Sequence, residues 1–436
     1  MSTSVGRRLT GRVPDLLRET AFRRYWAGQT ISMFGDQISS IALPLAAVLA
    51  LRASPIEMGA LTALVWLPNL LFGLHAGAWV DRRGHRRAMM ITADIGRALL
   101  LTSIPVCYAA GVLTLWQLYA VAFGVGSFGV LFTVSNPTLF VALVPEDKYV
   151  RGNSLVYGSR AFSFMGGPSA GGVLVQLLSA PGAILADALS YLGSAFFLAR
   201  IHPAEPPAAD KGKGSLTAGA KFIRNSPVVR SSLLAAAVVN FFDFIFLALL
   251  VLYATRYLHV RPGVLGLVLG IGAVGSVLGA LVTGRLADRI GAGRAYTLGC
   301  LLFTAPLALV PAATGPRWLI LVMLASAEFV AGFGVMMLDI SVGAIFAVVI
   351  PDEVRSRVSG AFQAVNYGTR PLGALAGGLL GTFIGTRTTL WIAAAGGTIG
   401  FLILLPSAVP KFKMPSIQKF AAADVDESEV TQGSAA

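Results

Sequence analysis

Charge is scarce in this sequence. Only 13% of its 436 residues are Asp, Glu, Lys or Arg, about half the 25% usual for a soluble domain. Together with 55% hydrophobic residues and a mean hydropathy of +0.73, this excludes an ordinary water-soluble globule and indicates a protein solvated by lipid. Cysteine is equally sparse. Cys107 and Cys300 sit in apolar runs without metal-ligand spacing, so they are expected to pack as small core residues rather than to hold a metal. The chain also lacks a Gly-x-x-x-x-Gly-Lys-Ser/Thr loop; "DKGKGSL" (210–216) breaks the pattern. ATP-driven work by this chain alone is therefore not expected. Nothing calls for a metal, a cofactor or an enzymatic reaction.

What is present is a series of long apolar runs. Crossing about 30 Å of hydrocarbon takes about 20 helical residues. Twelve runs meet that length, at 24–51, 56–80, 88–110, 115–142, 154–178, 182–201, 229–257, 263–286, 295–313, 317–348, 360–384 and 388–406. The reading is an all-α integral membrane protein of twelve transmembrane helices. Its parts are a basic N-terminus (1–23), a six-helix half (24–201), a polar linker (202–228), a second six-helix half (229–406) and a polar tail (407–436) whose composition predicts disorder. The first run is too long for a signal peptide and is expected to stay.

The net charge of +13 could point to nucleic acid, so the position of each basic residue matters. With both termini on the cytoplasmic side, Arg52, Arg256, Arg261, Arg317 and Arg387 lie outside and Arg97, Arg160 and Arg370 lie within spans. The rest of the 34 Lys and Arg lie inside. That asymmetry follows the positive-inside rule. It accounts for the charge without a nucleic-acid partner and predicts a multi-pass inner-membrane protein, read as bacterial and monomeric.

The two halves repeat. "GAWVDRRGHRR" (77–87) leaves span two and "GRLADRIGAGR" (284–294) leaves span eight, so Asp81 and Asp288 stand 207 residues apart. "VPEDKYVRGNS" (144–154) and "IPDEVRSRVSG" (350–360) repeat at 206, as do "AGGVL" (170–174) and "AGGLL" (376–380). Parallel repeats of this kind imply two pseudo-symmetric halves about an axis along the membrane normal.

These features resemble the major facilitator superfamily. Its loop 2–3 motif, Gly-x-x-x-Asp-Arg-x-Gly followed by basic residues, is matched by Gly77, Asp81, Arg82, Gly84, Arg86 and Arg87, and again by Gly284, Asp288, Arg289, Gly291 and Arg294. The resemblance implies a conformational latch. The glycines are expected to allow close packing and a tight turn, and the carboxylate to accept hydrogen bonds at a neighbouring helix end. Within the superfamily, "FGDQISSIALPL", "ADIGRA" (93–98), "VYGSRAFSFMGGPSAGGVL" (156–174) and "DALSYLGS" (187–194) are similar to the drug:proton antiporter branch that includes macrolide efflux and siderophore (enterobactin) exporters. The span-five signature of that branch falls on Gly167, Pro168, Gly171 and Gly172. The second half has "GTRPLGALAGG" (368–378) in its place, and span four lacks the arginine that many proton antiporters carry.

Asp36 sits inside the first span, about twelve residues in, or about 18 Å at 1.5 Å per residue. Adding the repeat spacing gives Asp243 in "VNFFDFIFLALL". The resemblance places both on cavity-lining helices, where they would face one another or nearly so. It adds Glu328 and Asp339 of "SAEFVAGFGVMMLDIS" on span ten. Arg160 and Arg370 are candidate partners for these carboxylates. A mid-bilayer charge costs roughly 2.5–3.5 kcal/mol on insertion scales and usually faces a wet cavity. Asp94, Arg97 and Asp187 lie on spans that are peripheral in such folds, where structural pairing is the expectation; His75 is read as a bystander.

The functional expectation is a secondary transporter. It would export amphiphilic small molecules, such as a drug, an antibiotic or a siderophore-like compound, in exchange for protons. One proton moving down about 150 mV releases about 3.5 kcal/mol. Aromatic and Met residues, including Phe34, Phe241, Phe242, Phe244, Phe333 and Met337, would offer an adaptable apolar surface. An importer of a metabolite in the same fold, and a non-transporting membrane sensor, are the alternatives.

Overall fold

Helices account for the architecture because a chain in lipid must satisfy its backbone polar groups internally. The computed structural model describes residues 15–202 and 216–412. The side chains of Leu74, Ala78, Asp81, residues 216–220, Asp352, Glu353 and Ser356 lie outside that description. Twelve long helices follow in order: α1 Thr20–Leu45, α2 Pro55–Arg83, α3 Arg86–Ala109, α4 Leu115–Leu143, α5 Tyr149–Leu178 and α6 Ala180–Ala199. Then come α7 Pro227–Arg256, α8 Pro262–Ile290, α9 Ala292–Thr304, α10 Arg317–Val349, α11 Asp352–Phe383 and α12 Thr386–Leu404. Among the described residues, eleven of them, with α9 extended to Ala312, are long and apolar enough to cross a membrane. The exception is α11, which carries Arg355, Arg357 and Arg370 along 32 residues. Among the described residues the fold is all-α, with twelve long helices in two repeats of six.

Local sequence sets the helix ends. The N–H of Ser54 donates to Glu57 Oε2 at 2.6 Å and Pro55 follows at the first helical position, a capping box that starts α2. Thr114 caps α4 by accepting from Gln117 N at 3.3 Å. Between α2 and α3, Gly84 has φ +61°; between α8 and α9, its repeat partner Gly291 has φ +92°. Both turns use a left-handed conformation that a side chain would strain. The carbonyls ending α6 accept from two arginines: Arg87 Nε reaches Leu198 O at 2.9 Å, and Arg24 Nη1 reaches Arg200 O at 2.6 Å. Cations suit a helix C-terminus.

The chain forms two compact units. The first comprises residues 1–213, 244–273 and 370–389, and the second 214–243, 274–369 and 390–436. In the first, Phe22, Tyr25, Met90, Leu139, Phe140 and Leu198 make a buried cluster. In the second, Val239, Tyr296, Ile345 and Leu404 make another. Residues 1–14, 203–215 and 413–436, which hold most of the expected N-terminus and tail and about half of the linker, lie outside the described residues. Within the stretch read as linker, Leu216–Asn225 is a helix whose Phe222 and Ile223 pack against Val229, Ile350 and Val358.

Helix approach inside the first unit rests on glycine. A Cβ on Gly172 (α5) would lie 2.8 Å from the Cα of Gly266 (α8), and one on Gly59 (α2) would lie 2.7 Å from the Cα of Gly378 (α11). The two contacts are repeat partners: 59 and 266 are 207 apart, and 172 and 378 are 206 apart. Gly171 and Gly377 likewise lie against Ile38 and Ile245. The second half therefore keeps the glycine part of the span-five signature, with its proline, Pro371, one turn earlier. Among the described residues, a Cβ on Gly77 would meet only Val134 Cγ1 at 4.0 Å, and one on Gly284 would meet nothing within 4 Å.

Candidate functional site

Asp36 enters a polar cluster because its neighbour is glycine. Gly35 lets α1 press against α6 so closely that a Cβ there would overlap Ser190 Oγ and Asp187 Oδ1. With the helices that near, the Tyr191 hydroxyl of α6 donates to Asp36 Oδ1. From α3, Arg97 Nη1 stands 4.0 Å from the same oxygen, while its Nη2 pairs with Asp94 Oδ1. The guanidinium lies between two rings, with Cζ 4.1 Å from the Tyr191 centroid and 4.6 Å from that of Phe132 on α4. Ser190 donates to Asp187 at 3.0 Å. Asp94 and Asp187 are wholly buried and Arg97 nearly so, whereas the Asp36 side chain is 44% exposed.

The exposed part of Asp36 faces a cavity of about 440 Å³. Asp187, Tyr191, Ser39, Ser40 and Thr62 supply its polar lining, and Leu61, Val65, Trp66, Leu101 and Leu250 are among its apolar residues. Pro168 of the span-five signature lines it as well, and so does Pro44, just before the π-helical segment Ala46–Ala50 that continues α1. Irregular turns of this kind concentrate at functional sites. Arg370 stacks over Trp66, with Cζ 4.3 Å from the ring, and lies 5.2 Å from Phe244.

Three carboxyl groups here share one guanidinium. In a low-dielectric interior, uncompensated charge is costly, and here Asp36, Asp94 and Asp187 stand against the one Arg97. The arrangement thus combines a cavity-facing carboxyl with two buried carboxyls and a buried guanidinium.

In the second unit, Glu328 on α10 lies within electrostatic range of Asp243 on α7. One turn from Asp243, Asn240 Nδ2 donates to Asn366 Oδ1 of α11 at 2.6 Å. Asp339 is on the exposed face of α10. Arg160 is exposed, and its contact among the described residues is the Phe164 ring of its own helix, at 5.7 Å. Of the residues expected to form a latch, Arg86 is buried, while Arg82, Asp288 and Arg289 are exposed; the Asp81 side chain lies outside the described residues.

Sequence reasoning found Asp36 but left Asp94, Arg97 and Asp187 as a peripheral pairing and did not single out Tyr191. The Asp94–Arg97 pair does form, and it also reaches Asp36. The signal available was small residues on both faces: Gly35 on α1, and Ser190 and Ser194 beside Asp187 on α6.

A family profile described as transmembrane secretion effector matches residues 14–433. The chain is 28% identical over 386 residues to the MFS-type transporter YfiS of Bacillus subtilis (strain 168), covering 82% of this chain and 86% of that protein. It is 26% identical over 379 residues to the multidrug efflux pump Tap of Mycolicibacterium fortuitum, covering 81% and 88%. Among solved structures, it resembles a bacterial homologue of the iron transporter ferroportin in an inward-facing state, with a TM-score of 0.71 at 17% identity over 90% of this chain and 99% of that one. It also resembles an inward-facing, unoccupied bacterial homologue of the lysosomal transporter Spinster, with a TM-score of 0.68 at 14% identity over 93% and 100%. A twelve-helix fold, internal repeats and a match over nearly the whole chain lead to one conclusion: this chain belongs to the transmembrane secretion effector family and is a multi-pass membrane transporter of the major facilitator type.

Proposed function

We propose that this protein exports amphiphilic small molecules across the inner membrane in exchange for protons, by alternating access, with both termini cytoplasmic. The observation that carries the reading is Asp36: a carboxylate inside the membrane, bonded to Tyr191, facing Arg97 and open to a largely apolar cavity of about 440 Å³. Protonation would release its hold on Tyr191 and Arg97, and deprotonation would restore it. The similarity to an efflux pump supports the outward direction. Glu328, within electrostatic range of Asp243, would be the second group to share the proton. Arg370, stacked on the cavity residue Trp66, is placed to sense the occupant. Asp339 and Arg160, both exposed, complete the proposed set of proton-coupling or substrate-binding residues. Asp81, Arg82 and Arg86 with Asp288 and Arg289 would form the latch, and Gly84 and Gly291 its turns.

The test uses proteoliposomes preloaded with a pH gradient and a fluorescent amphiphilic cation, ethidium. Gradient-driven ethidium movement with proton counterflow is expected for the wild type, and neither for Asp36→Asn, which keeps size and hydrogen bonding but cannot titrate. Equal coupled transport by Asp36→Asn would defeat the assignment. Uptake of substrate in the same direction as the proton would replace export with import.

A further inference from the structure

The loop between α2 and α3 builds a second cavity that the transport site does not use. It has a volume of about 360 Å³, and its walls include Trp79 and Arg83 of α2, His85, Met89 and Thr92 at the start of α3, and Leu131 of α4. The left-handed turn at Gly84 and His85 folds the basic residues toward it. The Arg83 guanidinium lies 4.4 Å from the Trp79 ring centre, and among the described residues no carboxylate stands within ion-pair distance of it. His85 is held by its Nδ1, 2.8 Å from the Arg83 carbonyl.

The cavity continues into an apolar face. On α3, Thr92, Ile95 and Leu99 follow at helical spacing, and Ile95 and Leu99 are exposed hydrophobics. On α2, Phe72 and Trp79 are seven residues apart, so they share a face, and both are exposed. In a membrane protein such exposed apolar faces meet acyl chains. Trp belongs at the level of lipid headgroups, and Arg is suited to phosphate oxygens.

We propose that this cavity binds the phosphate-bearing headgroup of an anionic phospholipid, with its acyl chains along the Ile95–Leu99 face. The charge of Arg83 matches the phosphate. The apolar track beneath it selects a lipid over free inorganic phosphate, which has no use for that surface. Basic pockets between membrane helices are known to take such headgroups.

Brominated lipids read this site through Trp79. Wild-type protein and Trp79→Phe are reconstituted in phosphatidylcholine containing an equal mole fraction of either brominated phosphatidylglycerol or brominated phosphatidylcholine. The difference between the two proteins gives the Trp79 contribution. Brominated phosphatidylglycerol is expected to quench it in preference, by up to about fivefold in local enrichment for one basic residue near the surface. Arg83→Gln should abolish that preference. Native mass spectrometry of the wild type and Arg83→Gln with added phosphatidylglycerol, which needs no Trp79 variant, should show lipid adducts retained by the first and diminished in the second. Equal quenching by the two lipids, a preference that survives Arg83→Gln, or competition by inorganic phosphate would each overturn the proposal.

Discussion

The first and second repeats carry an aspartate at the same place, Asp36 and Asp243, and surround it with opposite materials. Around Asp36 the helix α1 contributes Gly35 and α6 contributes Ser190 and Tyr191, with Arg97 arriving from α3. At the corresponding positions of the second repeat stand Phe242, Gly396, Gly397 and Thr304. The bulk has changed sides: a Cβ on Gly396 would overlap the Phe242 ring, and one on Gly397 would touch Thr304 Cγ2 at 3.2 Å. Where the first repeat fills the space between its helices with an ion pair and a phenol, the second fills it with a phenyl ring. Asp243 lies within electrostatic range of Glu328, and Thr304 stands at the position that corresponds to Arg97. Duplication preserved the frame and divided the chemistry.

That contrast is broken most severely at Arg97. Replacing it with Leu leaves three carboxyl groups beside no cation, and removing one partner of a buried ion pair costs about 3–5 kcal/mol. A large fall in melting temperature in detergent is expected, against at most about 1 kcal/mol for Thr304→Ala, within the range for losing one ordinary hydrogen bond. Similar melting of the two variants would mean that the repeats are energetically alike. Next in size is the glycine seam. Gly172→Ala and Gly378→Ala each force backbone apart, and overpacking of this kind costs about 1–3 kcal/mol. The two variants should lose stability to a similar degree, as repeat partners; a silent Gly378→Ala would deny the second half its share of the signature.

A finer test separates the two carboxylates. In the proteoliposome assay, Asp243→Asn should retain more coupled efflux than Asp36→Asn, because Glu328 remains beside it. Adding Glu328→Gln to Asp243→Asn should then lower the rate by a further tenfold or so, about 1.4 kcal/mol of barrier. Additive, equal losses at Asp36 and Asp243 would restore functional symmetry. The smallest effect is expected at Arg160, whose Gln variant should stay within about 0.5 kcal/mol of wild type in stability, as exposed positions do, and transport normally.

The same contrast shows which parts of the molecule can be read from sequence. Helix positions follow from apolar run length, and the repeat follows from spacing, because both are properties of the chain taken locally. The turns at Gly84 and Gly291 were legible for the same reason. The Asp36 cluster was not, since it joins residues 61 and 155 positions apart, Asp36 with Arg97 and with Tyr191. Their meeting depends on Gly35, whose role appears only once α1 and α6 are packed. Judging α3 and α6 peripheral hid Arg97, because a long side chain reaches from an outer helix to an inner one. The second-half signature was missed through its displaced proline, although Gly377 and Gly378 kept their steric task.

The paired glycine contacts have a further consequence. At α5–α8 the seam carries hydrogen bonds, from Ser169 Oγ to Gly266 O at 3.3 Å and from Gly263 N to Gln176 Oε1 at 3.2 Å. Leu375 and Thr382 occupy the corresponding positions of the α2–α11 seam, and Thr382 spends its hydroxyl on its own helix at Gly378 O. Contacts of this sort hold by dispersion at short range and involve no ionised group. They need no proton to form and feel little of the surrounding salt. The glycine contacts of both seams are therefore steric and uncharged, and forming them asks nothing of a titratable group.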